Sequence, residues 1–223
     1  MKKYISIIPI RAGSKGLTSK NSLPINGKPL YMFTLEKALK HTEKTIISTD
    51  IDSIFLKEFP ENVKIVRRKK HLANDDTPLS DVLTDLFKSF EFEEEIAVLL
   101  QATSPLRNDN DINNAIKMYE SNKYSMVMSI VEKDSKILKY GLMKDNIYEP
   151  IHDNSSVFMN RQDLPKVYSP NGAIYIFSVK DYLMNNYYPT SKIGVYEMPK
   201  SRSIDIDNEE DFEFVTQVIS KNI

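Results

Sequence analysis

The sequence predicts an α/β fold with a doubly wound, mostly parallel sheet, because short β-branched runs alternate with segments of helical periodicity. The runs predicted to be buried strands are Tyr4 to Ile8, Thr45 to Ser48, Val63 to Val66, Ile96 to Leu100 and Met126 to Val131. The helical segments between them are Leu30 to Lys40, Asp52 to Phe59, Leu79 to Phe90 and Ile112 to Tyr119. Thr77-Pro78 predicts a cap followed by proline in the first position of the third helix. Ligands of such sheets bind at the carboxyl ends of the strands.

The alternation is interrupted between about residues 132 and 170, where charged residues, Asn and Tyr increase and helical periodicity weakens. This segment is predicted to be an insertion that forms a hairpin, a lid or a dimerisation element. Ala173 to Phe177 and Ile193 to Met198 predict two further strands, and Glu209 to Ile219 predicts a closing helix. A chain of 223 residues is too short for two large domains. We therefore expect one domain over residues 1–223, with the insertion at about 132–170.

The composition excludes several classes of protein. Thirty Lys and Arg against 31 Asp and Glu give a net charge of −1, so no nonspecific attraction to nucleic acid or to a membrane is expected. The absence of cysteine excludes disulfides and thiol nucleophiles and is compatible with a cytoplasmic location. Lys2 and Lys3 precede an apolar stretch, as in a signal peptide, but Ser6, Pro9 and Arg11 interrupt it. No segment approaches the roughly 20 apolar residues that cross a bilayer.

A cationic, glycine-bearing segment follows the first predicted strand. It reads Arg11-Ala12-Gly13-Ser14-Lys15-Gly16, with Lys20-Asn21 shortly after. The glycines let backbone amides approach a ligand, and the three cations can neutralise a triphosphate. A solvated basic turn is the simpler interpretation, but the position after the first strand favours an anion site. Because the segment lacks both the P-loop and the dinucleotide-binding patterns, it predicts another kind of nucleotide loop.

Six ordered blocks, spanning residues 5 to 212, resemble the acylneuraminate cytidylyltransferases. They are Arg11 to Leu17 with Lys20-Asn21, Asn26 to Leu30, Arg68 with Leu72-Ala73 and Asp76 to Pro78, Leu100 to Arg107, Pro170 to Tyr175, and Ser203 to Asp207. The resemblance implies a fold of the nucleotide-diphospho-sugar transferase type and a homodimer. It also implies an enzyme that couples CTP to a nonulosonic, sialic-type sugar acid with release of pyrophosphate. The alternatives are the same chemistry on legionaminate, pseudaminate or 3-deoxy-manno-octulosonate, or a module that binds CTP without turnover.

The sequence Ile-Asp-Ile-Asp at residues 204 to 207 has a period of two, so an extended backbone would place both carboxylates on one face. Paired carboxylates suit Mg²⁺, which prefers oxygen ligands. The resemblance implies that Asp205 and Asp207 are the family's metal-binding acids. A second interpretation is a capping box for the closing helix, with Asp207 or Asn208 as the cap and Glu210 or Asp211 as its partner. Both interpretations can hold for neighbouring residues.

The resemblance implies roles for the remaining site residues. The catalytic residues are Arg11, Lys15 and Lys20, which would stabilise the negative charge of the triphosphate, and Asp205 and Asp207, which would bind the metal. The nucleotide contacts are Arg11, Gly13, Ser14, Lys15, Asn21, Arg68, Ser80 and Gln101. The sugar acid contacts are Gln101, Lys139, Arg161, Asn171, Tyr175, Tyr187 and Tyr188, with Arg161 and Lys139 as candidate partners of its carboxylate. Three alternatives stay open: Lys139 as a surface lysine, Tyr187-Tyr188 as simple packing rather than an insertion into the partner subunit, and Arg107 as part of a loop-ordering network.

Overall fold

The computed structural model describes residues 3–13, 16–92 and 94–221, and it confirms the α/β fold. In these residues the strands are β1 Tyr4–Pro9, β2 Pro24–Ile25, β3 Lys28–Pro29, β4 Lys44–Thr49, β5 Val63–Arg67, β6 Ile96–Leu99, β7 Met126–Lys133, β8 Gly141–Lys144, β9 Ile147–Pro150, β10 Val167–Ser178 and β11 Ile193–Glu197. The helices are α1 Leu30–His41, α2 Asp52–Phe55, α3 Leu79–Lys88, α4 Asp109–Glu120, α5 Asn154–Phe158, α6 Val179–Asn185 and α7 Glu209–Ser220. Among the described helices, none is long and apolar enough to span a membrane.

The central sheet has the order β11-β7-β10-β6-β1-β4-β5 and is mostly parallel. Strand β1 lies between β6 and β4 and is parallel to both, with Ile7 opposite Leu99 and Ile46. Strand β10 is antiparallel to β6 and β7, because the chain returns into the sheet after the insertion. The carboxyl ends of β1, β4 and β6 therefore meet at one edge, with the reversed strand β10 beside them.

Hydrophobic clusters cover both faces of the sheet. On one face Ile8 and Val98 pack with Leu35 of α1 and Ile112 of α4. On the other face Ile7 and Leu99 pack with residues of α3 and α6, notably Leu83, Phe87 and Tyr182. Adjacent residues of one strand thus serve opposite clusters, as expected for a strand that is buried on both faces. A third cluster joins Ile25, Leu30, Ile206 and Val215, and it fixes α7 against the segment that precedes it.

Several helix boundaries differ from the sequence prediction: α4, for example, begins at Asp109 rather than Ile112, and α3 ends at Lys88 rather than Phe90. The second helix ends at Phe55 rather than Phe59, and the chain leaves it as a turn before Pro60, with Leu56 exposed. The predicted Thr77 cap of α3 is wrong. Pro78 is extended, with φ −59° and ψ 141°, so it occupies the cap position and the helix begins at Leu79. The Thr77 hydroxyl instead donates to the carbonyl of His71, 3.3 Å away, within the preceding loop.

A hairpin was one of the three forms predicted for the insertion, and the insertion contains the hairpin β8–β9. Its turn residues Asp145 and Asn146 have φ values of 49° and 62°, which suit a tight hairpin turn. Many large apolar side chains in and around the hairpin are exposed rather than packed on the sheet. They are Ile137, Tyr140, Leu142, Met143, Ile147, Tyr148, Ile151 and Phe158.

Candidate active site

Two neighbouring cavities open at the carboxyl edge of the sheet. The smaller cavity, of about 230 Å³, is lined by Arg68, by the start of α3 and by three residues of the first loop (residues 11–21), namely Arg11, Lys20 and Asn21. The larger cavity, of about 760 Å³, is lined by residues of β7 and β10 and by the segment that leads into α7. Gln101, Asp205 and Asp207 line both. These three residues therefore form the junction between the two cavities.

The first loop and the acid segment (residues 203–207) are in direct contact. The ammonium group of Lys20 donates to the carbonyl of Ile206 at 2.6 Å and to the carboxylate of Asp207 at 3.1 Å. A Cβ atom on Gly16 would lie 2.0 Å from the carbonyl oxygen of Asp207, so only glycine permits this approach. The predicted site residues Ser14 and Lys15 lie outside the described residues.

The rest of the first loop is held by partners in neighbouring strands and loops. The amide of Ala12 donates to Asp50 at 2.8 Å, and the buried side chain of Asn21 donates to the carbonyl of Arg11 at 3.1 Å. The Arg11 guanidinium forms an ion pair with Asp75, from the loop that precedes α3. Arg11 and Asn21 both line the smaller cavity.

Arg68 is buried in the wall of the smaller cavity. It donates to the carbonyl of Ser48 at 3.1 Å, whereas its Nε atom is buried and has no hydrogen-bond partner among the described residues. Burial lowers the pKa of Arg68 to about 10, although the nearby Asp50 opposes this shift. A buried donor without a protein partner suits a ligand oxygen or nitrogen atom. Ser80 is not among the described residues that line this cavity, and its carbonyl accepts a hydrogen bond from Tyr182 at 2.8 Å.

The two acids at the junction differ in environment. Residues 203–207 form no strand within the described chain, yet the period of two persists, because Ile204 and Ile206 pack in one cluster. Asp207 is exposed, whereas Asp205 is half-buried and its Oδ1 atom has no hydrogen-bond partner in the described part of the chain. Burial raises the pKa of Asp205, the Thr103 hydroxyl lowers it, and the charge of Asp207 raises it further.

These acids fit a divalent cation as an open pair rather than as a closed cage. The residues described contain no group of three or more acids, histidines or cysteines that could hold a metal ion. An ion at Asp205 and Asp207 would take its other ligands from phosphate and water, as Mg²⁺ commonly does. It would also satisfy the unpartnered Oδ1 atom of Asp205 and favour the ionised form of that carboxyl.

The capping box predicted for the last helix is also present. The Asn208 side chain accepts from the amide of Asp211 at 2.9 Å, and the Asp211 carboxylate accepts from the amide of Asn208 at 3.3 Å. Asn208 is therefore the cap of α7, and the carboxylate of Asp207 is not used for this purpose.

Gln101 is positioned by a network beneath the junction. Arg107 is fully buried and donates to the carbonyls of Gln101 at 3.3 Å and Ala173 at 2.7 Å, and to the Thr34 hydroxyl at 2.9 Å. This geometry supports the loop-ordering interpretation of Arg107. Gly172, with φ +75°, completes the junction, since a Cβ there would lie 3.1 Å from Gln101 Oε1.

Asn171 and Tyr175, two of the predicted sugar acid contacts, line the larger cavity. Asn171 is buried, accepts from the Ser129 hydroxyl at 2.6 Å and donates to the Ser203 hydroxyl at 2.9 Å. It thereby connects β7, β10 and the acid segment. Burial, followed by the charge of Asp205, raises the pKa of Tyr175.

Four predicted sugar contacts are not among the described residues that line either cavity. Arg161 forms an exposed ion pair with Asp134 at 3.2 Å, and the Lys139 ammonium donates to the carbonyl of Met159. Tyr187 is exposed, and Tyr188 packs against an aromatic cluster of Tyr175, Phe177 and Tyr182. Their roles in substrate binding stay predictions.

Several charged residues of the site were missed from the sequence. Glu132, Lys133, Asp134 and Lys200 line the larger cavity, and Asp75 lines the smaller one. Asp75 lies inside the block that runs from Arg68 to Pro78, and Lys200 lies three residues before the block that begins at Ser203. Proximity to these blocks was the available signal.

A family model described as "Cytidylyltransferase" matches residues 5–223. The chain is 35% identical over 214 residues to an N-acylneuraminate cytidylyltransferase of Streptococcus agalactiae serotype V, with 94% of this chain and 52% of that protein covered. It is 26% identical over 218 residues to a pseudaminic acid cytidylyltransferase of Campylobacter jejuni, with 95% and 94% covered. A structure of CMP:2-keto-3-deoxy-manno-octonic acid synthetase complexed with CTP superposes over both full chains, with a TM-score of 0.73 and 17% identity. The chain spans about half the length of the streptococcal relative.

Proposed function

The chain belongs to the cytidylyltransferase family, and from this premise we propose that it transfers a cytidylyl group from CTP to a nonulosonic, sialic-type sugar acid. One observation carries the proposal: a smaller cavity lined by Arg11, Lys20 and Arg68 and a larger polar cavity share the two acids Asp205 and Asp207. Two substrates bound in these cavities would meet at the acids.

In the proposed reaction the anomeric hydroxyl oxygen of the sugar acid attacks the α-phosphorus of CTP. A bond forms between this oxygen and the α-phosphorus, and the bond from the α-phosphorus to the oxygen bridging to the β-phosphorus breaks. Pyrophosphate leaves with the bonding electrons, and the hydroxyl proton passes to water. No side-chain nucleophile is required, so the protein contributes mainly by orientation and electrostatic stabilisation.

The residues of the smaller cavity would bind CTP. Lys20 and Arg11, with Lys15 of the same loop, would neutralise the triphosphate, and the amides of Gly13 and Ser14 would approach it. Asn21 and Arg68 would hold the cytidine, with Ser80 predicted nearby. The unpartnered Nε of Arg68 supports this role, because a ligand acceptor would satisfy it.

We further propose Mg²⁺ as the cofactor, held by Asp205 and Asp207. When bound, the ion supplies positive charge that neutralises phosphate oxygens during the transfer. The orphaned Oδ1 of Asp205 and the exposed carboxylate of Asp207 support this assignment. Lys20, which contacts Asp207, would hold that carboxylate facing the junction.

The larger cavity would bind the sugar acid, with Gln101, Asn171 and Tyr175 as contacts. Its volume of about 760 Å³ suits a substrate of nine carbons. The name of the streptococcal relative supports an N-acylneuraminate, and that of the Campylobacter jejuni relative supports the alternative of pseudaminate. Legionaminate and 3-deoxy-manno-octulosonate would use the same chemistry. A module that binds CTP without turnover is less well supported, because both acids adjoin the cationic loop.

The proposed assembly is a cytoplasmic homodimer of one-domain chains. The exposed apolar side chains of the β8–β9 hairpin support an interface formed by the insertion at about 132–170, because exposed apolar patches commonly mark such surfaces. Tyr187, which is exposed, would reach the partner's larger cavity, whereas the packing of Tyr188 in the aromatic cluster of its own chain favours the alternative of simple packing. Arg161 and Lys139 would contribute near the sugar acid. The lack of cysteine suits a reducing compartment.

The test is Mg²⁺-dependent pyrophosphate release, measured with each of the four ribonucleoside triphosphates against a panel of nonulosonic and octulosonic acids. We expect release only with CTP and an acid, and none after chelation of Mg²⁺. Calorimetric binding of CTP without pyrophosphate release for any acid would instead identify a binding module.

A further inference from the structure

The larger cavity carries a surplus of negative charge, although its proposed substrate is an anion. Its described lining includes five carboxylates and two cations, Lys133 and Lys200. The carboxylates are Glu132, Asp134, Asp205, Asp207 and Asp211. A substrate carboxylate that enters this cavity requires a cationic partner, because an unpaired charge is costly to desolvate.

Most nearby cations already have partners. Lys166 pairs with Glu132 at 3.0 Å, and Arg161 pairs with Asp134 at 3.2 Å. The Lys139 ammonium donates to the carbonyl of Met159. These three cations are therefore committed at the rim of the cavity or in the insertion.

Lys200 differs from these three cations, because its ammonium group, like that of Lys133, forms no ion pair or hydrogen bond within the described residues. The pKa of Glu132 is lowered chiefly by its hydrogen bond and ion pair with Lys166, and further by the charge of Lys200. The pKa of Asp134 is lowered chiefly by the amide of Lys136, with contributions from Arg161 and Lys200. The Lys200 charge thus reaches two carboxylates of the cavity wall while it stays available to an anion.

The backbone that carries Lys200 is firmly anchored. Lys200 begins the 3₁₀ turn Lys200–Arg202, and its carbonyl accepts from the amide of Ser203 at 3.2 Å. Arg202 binds the buried carboxylate of Asp111 with two nitrogens, at 3.0 and 2.8 Å. Such a bidentate pair fixes the turn in one orientation.

Lys200 and Lys133 both line the larger cavity, but they are carried by different segments. Met198, two residues before Lys200, donates its amide to the carbonyl of Ile130 at 2.8 Å, and its sulfur contacts the Asn171 side chain. Lys133 lies three residues beyond Ile130, which is about 10 Å along β7 and toward the insertion. In a 2-keto sugar acid the anomeric carbon carries both the reacting hydroxyl and the carboxylate, so the carboxylate must bind close to the junction.

We infer that Lys200 binds the carboxylate of the sugar acid and thereby sets the requirement for an acidic sugar. This inference rests on the proposed function. Lys200 is a substrate-binding residue in this role, and it belongs to the turn after β11 rather than to the insertion.

The first experiment measures steady-state kinetics of Lys200→Gln with the preferred sugar acid. We expect KM for the acid to rise by about 10- to 100-fold, the range for losing a charge-assisted hydrogen bond, while KM for CTP stays within about twofold. Lys200→Arg should recover most of the loss. Lys180→Gln, on the exposed face of α6, is the matched control and should behave as wild type.

The second experiment asks whether the effect belongs to the carboxylate. Wild type should use the acid far better than its neutral carboxamide, and Lys200→Gln should lose this discrimination. An unchanged preference in Lys200→Gln, or a loss of preference confined to Lys133→Gln, would overturn the assignment of Lys200. If wild type itself released no pyrophosphate with any acid, the proposed function would fall first, so the two failures are distinguishable.

Discussion

The two cavities differ in how their polar side chains are held. In the smaller cavity Arg68, Asn21 and Lys20 each donate to a backbone carbonyl, so the sheet and its loops fix them before any ligand arrives. In the larger cavity the acids Glu132 and Asp134 form exposed ion pairs, whereas the ammonium groups of Lys133 and Lys200 have no ion-pair partner within the described residues. The wall of this cavity continues into the insertion, which has exposed apolar side chains. The proposed nucleotide side is thus preorganised, whereas the charged groups of the proposed sugar side are peripheral, although Asn171 within it is buried and hydrogen-bonded. Discrimination between sugar acids should therefore depend on the larger cavity.

The largest expected effect comes from the exposed acid at the junction. Asp207→Asn should lower kcat by about 10²- to 10³-fold, the usual cost of losing one charge-stabilising group. The fold should persist, because Asn208 and Asp211 cap α7 without the Asp207 side chain. Kinetics at saturating CTP and Mg²⁺, with thermal unfolding in parallel, measure both properties. Glu209→Gln, two residues further and exposed, is the control, and near-normal turnover of Asp207→Asn would refute the metal assignment.

A substitution at Gly16 tests the contact between the first loop and the acid segment without removing a charge. A Cβ on Gly16 would lie 2.0 Å from the Asp207 carbonyl, whereas one on Gly13 would lie 3.8 Å from its nearest neighbour, Arg11. Gly16→Ala should therefore displace the first loop from the acid segment and lower kcat/KM for CTP by roughly 10- to 100-fold. Gly13→Ala should cost distinctly less. Equal effects of the two substitutions would mean that contact between loop and acids is unimportant.

The smallest expected effect is on thermal stability, and it tests the difference between the half-buried Asp205 and the exposed Asp207. Because the folded-state pKa of Asp205 is raised, its stabilising contribution is present at acidic pH and is lost as pH rises through that pKa. In the absence of divalent cations, Asp205→Asn should raise Tm by a few degrees at pH 7. The difference from wild type should shrink as pH falls through the raised pKa of Asp205, because the wild-type carboxyl is then neutral. A lower Tm than wild type at pH 7 would contradict this account of Asp205.

The sequence predicted those parts of the fold that depend on local pattern. Apolar runs such as Ile96 to Leu100 became central strands, and the Ile-Asp-Ile-Asp alternation survived even where no strand formed. Helix boundaries were less accurate, because the end of α2 and the start of α3 depend on how the chain approaches Pro60 and leaves Pro78.

The candidate site was predictable where its residues follow strand ends and not where distant segments meet. The alternatives for Arg107 were resolved only by its contacts with Thr34 and Ala173, which lie 73 and 66 residues away in sequence. Lys200 lines the larger cavity because β11, which precedes it, pairs with β7. The spacing of residues near Lys200 in the sequence does not indicate this pairing. The position of Lys200 beside the acids of this cavity can be recognised only when the order of the strands in the sheet is known.

The most direct test of the junction follows the α-phosphorus itself. Wild type is incubated with Mg²⁺, a nonulosonic acid and CTP labelled with ³²P at the α-position, and the labelled products are separated. We predict that label appears in a CMP-sugar in equal amount to the pyrophosphate released, and that Asp207→Asn slows this transfer by about 10²- to 10³-fold. Label that remained in CTP, or that appeared only in free CMP whether or not the acid was present, would contradict the claim that both substrates meet at Asp205 and Asp207.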